Sequence, residues 1–235
     1  MTHPVPEPQI DDSVLSQNGW VHDKTEKDSV EVDIVGPLDL KAYLHTKLYR
    51  DAELQKEVRR RTLGRLDKKL NVFFANRTHL EPGIDNLPLG VGREQVLWAT
   101  KFFARKKFEE RLEKNGVRVI DSTDEGSVET RTGAEADLER LKCAYEVDCV
   151  EVSVTEGEKI KLGSGIDLVN IDGWVGTWHH DGDVYIAGGV YPTEDIEITQ
   201  TSDITEAIDL TLDIDLGIWP KPYQKEMTDL IKHVR

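Results

Sequence analysis

Leu38-Asp39-Leu40-Lys41-Ala42-Tyr43-Leu44-His45-Thr46-Lys47-Leu48-Tyr49 alternates, residue by residue, between a mainly aliphatic set and a mainly polar and aromatic set. Successive side chains on a strand point to opposite faces, so this period of two puts Leu38, Leu40, Ala42, Leu44, Thr46 and Leu48 on one side. The segment predicts a half-buried antiparallel strand, and Gly36-Pro37 marks a turn from a preceding strand over Val30–Val35. Asp51 then stands as an N-cap. Leu54, Val58, Leu63 and Leu66 recur at helical intervals, which predicts a helix over about 51–67.

Further along, residues 70–76 read as a short apolar strand and Pro82 to Gly92 as a loop. Residues 93–114 carry the strongest helical pattern, with Leu97, Ala104, Phe108 and Leu112 on one face, widened by Thr100 and Phe103. Asn115-Gly116 stops that helix. After Gly116 the chain reads as sheet: Val117–Ser122, Ser127–Arg131, Ala134–Val147, Val150–Thr155, Ile166–Trp178, Val184–Tyr191 and Ile208–Leu216. Turn signals at Asp124-Glu125-Gly126, Glu156-Gly157 and Asp181-Gly182 separate several of these, as in a meander. A last helix starts near Pro220. The fold class is therefore α+β: an antiparallel, meander-like sheet packed with two helices from the N-terminal half and one C-terminal helix. Residues 29–235 form one such domain, because the early helices need the later sheet to bury their apolar faces. Residues 1–28, with prolines at 4, 6 and 8 and no apolar run, read as a flexible N-terminal arm.

The chain of 235 residues holds 45 Asp+Glu against 30 Lys+Arg, a formal charge of -15. Residues 1–120 contain 21 basic and 19 acidic side chains, and residues 121–235 contain 9 and 26. Generic nucleic-acid binding is excluded on this balance, since phosphate neutralisation needs a basic surface. No stretch approaches the ~18 apolar residues of a membrane helix, and no signal-peptide pattern is present. The expected location is cytoplasmic, or associated with a virion or envelope. Such acidity also suits a surface exposed to molar salt, where screening acts over ~3 Å. The basic residues concentrate around Arg59-Arg60-Arg61 and Arg105-Lys106-Lys107, as solvated helix faces or as a groove facing an acidic partner or the protein's own acidic half.

His179-His180-Asp181-Gly182-Asp183 is the one dense cluster of metal-ligand residue types. Adjacent histidines on a strand face opposite ways, so a shared ion would need the bend that Asp181-Gly182 could supply; a hairpin tip has the same sequence. His179, His180, Asp181 and Asp183 are thus the metal candidates, and an ordinary tip is the competing reading. Trp174, Trp178, Tyr185 and Tyr191 make either core packing or an aromatic binding surface. Cys143 and Cys149, without metal-ligand spacing, read as two reduced thiols, or as a pair if a tight turn at Glu146-Val147-Asp148 brings them together. Gly90-Val91-Gly92 and Gly163-Ser164-Gly165 are read as loop and turn geometry. Asn76-Arg77-Thr78 matches a glycosylation sequon that would matter only in an exported chain. No catalytic or cofactor-binding residue is assigned and no cofactor is expected.

Leu48-Tyr49-Arg50-Asp51, Pro88-Leu89-Gly90-Val91-Gly92-Arg93-Glu94, Gly173-Trp174-Val175-Gly176-Thr177-Trp178 and Ala187-Gly188-Gly189-Val190-Tyr191-Pro192 together resemble an uncharacterised family of haloarchaeal proteins. Many members of that family carry an export signal with a lipid-attached cysteine; the start of this sequence has neither. The resemblance brings structural motifs and no catalytic residues. The expected function is a non-enzymatic binding or structural module of a halophilic archaeon. The alternatives are an assembly component of a haloarchaeal virion or cell envelope, meeting a protein partner or itself through the N-terminal arm, and a metal-dependent hydrolase at the His179-His180-Asp181 hairpin.

Overall fold

Residues 40–51 form the strand that their alternation predicts, and it lies inside a seven-stranded antiparallel sheet. The structure is a computed structural model and describes residues 5–32, 40–61, 69, 71–86, 93–147, 150–155, 158–162, 167–193, 197–200, 212–215 and 223–235. Along the chain come α1 (Asp12–Gln17), β1 (Trp20–Val32), β2 (Leu40–Asp51), α2 (Ala52–Arg61), β3 (Val72–Glu81) and a 3-10 turn at Ile84–Asn86. There follow α3 (Arg93–Lys114), β4 (Val117–Glu129), β5 (Glu135–Val147), β6 (Val150–Thr155), β7 (Glu158–Leu162), β8 (Asp167–His180), β9 (Asp183–Pro192), β10 (Glu197–Gln200), β11 (Leu212–Asp215) and α4 (Tyr223–Lys232).

The strand order is β1-β2-β3-β9-β8-β5-β4. Two runs of neighbouring antiparallel strands meet where β3 pairs with β9, so the meander holds within each run and not across the whole sheet. Two small hairpins, β6–β7 and β10–β11, pair apart from this sheet. Among the described residues the expected α+β class stands, with four α-helices. The predicted turn at Gly36-Pro37, the Gly90-Val91-Gly92 and Gly163-Ser164-Gly165 segments, Glu156-Gly157, Cys149 and most of the strand expected over 208–216 lie outside those residues.

Register divides the side chains between two faces. Ala42, Leu44, Thr46 and Leu48 of β2 stand opposite Leu80, Thr78, Asn76 and Phe74 of β3, and this face continues through Ile186 and Val190. It packs with Val58 of α2 and with Val96, Phe108 and Leu112 of α3. On the other face Tyr49, Phe73, Ala75, Trp174, Trp178, Tyr185 and Tyr191 pack with Tyr223, Met227, Leu230 and Ile231 of α4.

Several local readings hold. Asp51 ends β2 and caps α2, accepting the Leu54 N–H at 2.8 Å. Helix α3 has the predicted bounds, and Gly116 ends it in the left-handed region at φ +81°. The hairpin tip is Asp181-Gly182 with φ values of 51° and 81°, the backbone pair that a two-residue turn matching strand twist requires. The Asp124-Glu125-Gly126 signal does not break the chain into two strands. β4 runs through it, and the pairing with β5 shifts register between Asp124 and Ser127.

The arm expected over residues 1–28 is corrected over its described part, residues 5–28. Gln9 and Arg235 exchange two backbone hydrogen bonds of 2.6 and 2.9 Å. Ile10, Leu15 and Trp20 are buried in the α4-side core, and Asp11 pairs with Arg131 and Arg235. Residues 20–32 then pair along β2 as the edge strand. The strand expected from Val30 thus begins at Trp20; polar residues on both faces of His22–Ser29 hid its first part, and charge on an edge strand is what discourages edge-to-edge pairing.

Candidate functional site

A groove of about 470 Å³ opens between α3 and the β1–β2–β3 side of the sheet. Its walls are the aliphatic face that the opening alternation encodes, Ala42 and Leu44, together with Val30, Phe74, Leu80 and Ile186; Phe103, Ala104 and Phe108 of α3 form the roof. The groove exists because α3 follows the β9–β8 side and leaves the face of β1 and β2 partly uncovered. Phe74 and Phe108 meet at 5.2 Å between ring centroids and hold one end of the helix down. Such a volume and apolar lining fall within the range of small-molecule sites.

Three buried polar side chains interrupt the apolar floor. Thr78 Oγ1 donates to Asn76 Oδ1 at 2.6 Å, and Asn76 Nδ2 donates to Thr46 Oγ1 at 2.7 Å. Each is buried. The order of donation leaves the Thr46 hydroxyl as an acceptor with its own proton unspent; among the described residues nothing takes it. Thr100 is occupied otherwise, donating to the Val96 carbonyl at 2.8 Å. Asn76, the sequon residue, is thus part of the groove floor and closed to glycan transfer.

Three of the charges lining the groove, Glu26, Lys107 and Arg111, are paired. Arg111 Nη2 of α3 reaches Glu26 of β1 at 2.7 Å, bridging the groove, and Lys24 also meets Glu26 at 2.7 Å. Glu26 is held below the ordinary carboxylate range chiefly by the hydrogen bond from Lys24, with Arg111 adding to it. Lys107 pairs with Glu110 at 2.8 Å. Elsewhere on α3, Lys101 meets Asp137 and Arg105 meets Glu109 and Glu139. The second basic run therefore spends part of its charge on the protein's own sheet. Outward from the groove's mouth, Trp98 (68% exposed) and Phe102 (52%) stack on each other and adjoin Phe103.

The His179–Asp183 segment is the β8–β9 hairpin tip. Asp183 is buried and turns to β3, accepting from Arg77 Nε at 2.6 Å and pairing with His79 Nδ1 at 2.7 Å. His180 instead meets the exposed Asp181 at 3.3 Å. The four metal candidates are therefore not gathered round one point, and among the described residues no group of three His, Cys, Asp or Glu is placed to hold a metal. Arg77 and His79 were invisible to a local reading because they reach Asp183 only through the β3–β9 pairing.

Trp174, Trp178, Tyr185 and Tyr191 are buried, so the aromatic-surface reading gives way to core packing. Trp178 and Tyr185 stack at 5.5 Å, and Trp174 Nε1 donates to the Tyr191 hydroxyl at 3.0 Å. Cys143 is a free, buried thiol, pushed up to about 12 by burial. No helix among the described residues is long and apolar enough to cross a membrane.

A family model described as Domain of unknown function (DUF6517) matches residues 7–235, including most of the segment expected as an arm. No curated protein and no solved structure matches the chain.

Proposed function

The chain belongs to the DUF6517 family, and from the groove that its fold builds we propose that it is a non-enzymatic module that binds a small apolar ligand between α3 and the β1–β2–β3 face. The observation that carries this reading is the groove itself, about 470 Å³ in volume and walled by aliphatic and phenylalanine side chains. The charged part of its lining comes from Glu26, Lys27 and Asp28 of β1 and from Lys107 and Arg111 of α3, while the polar groups of its floor, Thr46, Asn76 and Thr78, and Thr100 of α3 are neutral hydroxyls and an amide. Such groups orient a ligand and are poorly suited to proton transfer at neutral pH.

Titration with Nile red, an uncharged apolar dye, tests the proposal. Saturable one-site fluorescence is expected from the wild-type protein and not from Ala104→Trp, whose indole would fill the groove from the roof. Phe103→Ala, at the mouth, provides a second variant if Ala104→Trp melts early. Dye binding unchanged in both folded variants, or no saturable binding at all, contradicts the proposal.

The surplus of acidic side chains, 45 against 30 basic, supports a further part of this reading, a surface adapted to concentrated salt in a halophilic archaeon. Higher stability in about 3 M than in about 0.1 M KCl is expected, because the repulsion is then screened. Equal stability would remove that part alone. Residues 9 and 20–32, part of the segment that the assembly reading takes as an arm, are tied to the chain's own C-terminus and β2.

A further inference from the structure

Resting on the reading of the groove as a binding site, we infer that its ligand is an uncharged hydrocarbon-like molecule carrying one acceptor oxygen, a ketone, ester or ether, which takes the Thr46 hydroxyl proton. The floor supplies one directed donor. Thr78 gives its proton to Asn76 and Asn76 gives one to Thr46, so the chain of bonds ends on the Thr46 hydroxyl. Thr46 is 6% exposed, and Asn76 and Thr78 are 4% and 2%. A buried hydroxyl proton left without an acceptor carries a desolvation penalty, and a ligand oxygen would remove it.

The charges near the groove argue against an ionic ligand. Arg111 is matched by Glu26 and Lys107 by Glu110, at 2.7 and 2.8 Å. Asp28 accepts its neighbour Ser29 N–H at 2.8 Å. Lys27, which stands opposite His45 in the register, also lines the groove beside Asp28, so that this part of β1 brings one charge of each sign. A carboxylate drawn to Arg111 or Lys107 would have to displace its acid partner, and a charge of either sign would be desolvated among Phe and aliphatic walls, where Lys27 and Asp28 offer one charge of each sign and favour neither. A neutral acceptor meets neither cost.

The test is displacement of Nile red by three chains of equal length, 2-undecanone, undecane and undecanoate, from wild-type protein, Thr46→Val and Thr46→Ser. The ketone is expected to displace the dye at about tenfold lower concentration than the alkane, the factor for one hydrogen bond. Thr46→Val removes that advantage with the alkane unchanged, and Thr46→Ser keeps it. Undecanoate displacing better than the ketone, or a ketone advantage that survives Thr46→Val, overturns the inference while leaving the groove a binding site. Nile red that does not bind the wild-type protein removes the binding reading and the inference together.

Discussion

Ile231 of α4 seats on the bare backbone of Gly176 in β8, so closely that a Cβ on Gly176 would stand 2.6 Å from Ile231 Cγ2 and 3.2 Å from Leu138 Cδ2. Gly189 on β9 makes a similar seat, where a Cβ would meet Met227 Cε at 2.8 Å. Gly176 and Gly189 of the two glycine-containing motifs thus bring α4 down onto the sheet, whereas Gly173 faces Phe108 of α3 on the other side. Gly176→Ala is expected to destabilise the fold by about 1–3 kcal/mol, the range for overpacking a filled core. Urea denaturation measures it, and an unchanged midpoint would show that α4 is not held there.

Asp183 is a structural carboxylate. Asp183→Ala would leave Arg77 facing a buried gap, and Arg77 is only 20% exposed at its side chain. A loss of about 3 kcal/mol is expected. His180→Ala, which removes a 3.3 Å contact to an exposed Asp181 and a tilted ring contact with Tyr185 at 6.5 Å, should change stability by less than about 1 kcal/mol. The reverse order of effects would restore the hairpin histidines as the important pair.

Alkaline pH should destabilise the fold. Burial pushes the phenols of Tyr49 and Tyr191 from 10 up to about 12 and the Cys143 thiol from 9 up to about 12. A raised value means that the native state keeps a proton that the unfolded chain releases. The stabilisation is whole below the unfolded value and is lost as pH climbs through the folded one. Urea midpoints should therefore be level up to about pH 9 and fall steadily from there toward pH 12. A midpoint constant up to pH 11 would contradict the burial of these groups.

Two tryptophans on opposite sides of the burial boundary make a direct contrast. Trp174 is 2% exposed and hydrogen-bonded to Tyr191, so Trp174→Ala should cost about 3–5 kcal/mol. Trp98 is 68% exposed, and Trp98→Ala should stay within about 0.5 kcal/mol. Equal costs would mean that the outer face of α3 is covered.

What the sequence made legible were features with a local physical cause. The alternation of residues 40–49 fixes β2, Asp51 supplies its own cap, and Asn115-Gly116 ends α3. β1 was anticipated only at its end, from Val30, because the charge on both faces of the rest of this edge strand leaves no apolar period. The groove was hidden for a different reason. Its lining comes from β1, β2, β3, β9 and α3, and a cavity between elements leaves no local pattern. Two signals did exist. Thr46, Asn76 and Thr78 are polar at core-facing positions of β2 and β3, and α3 has more aromatic residues than one buried face can take, which is why Trp98 and Phe102 remain outside.

Binding in the groove is located most directly by amide chemical shifts of ¹⁵N-labelled protein titrated with 2-undecanone. The account predicts saturable shifts concentrated at residues 42–46, 74–78 and 103–108, with the β8–β9 tip at 180–183 unmoved. Shifts centred on that tip, or none at any ligand concentration, would contradict it.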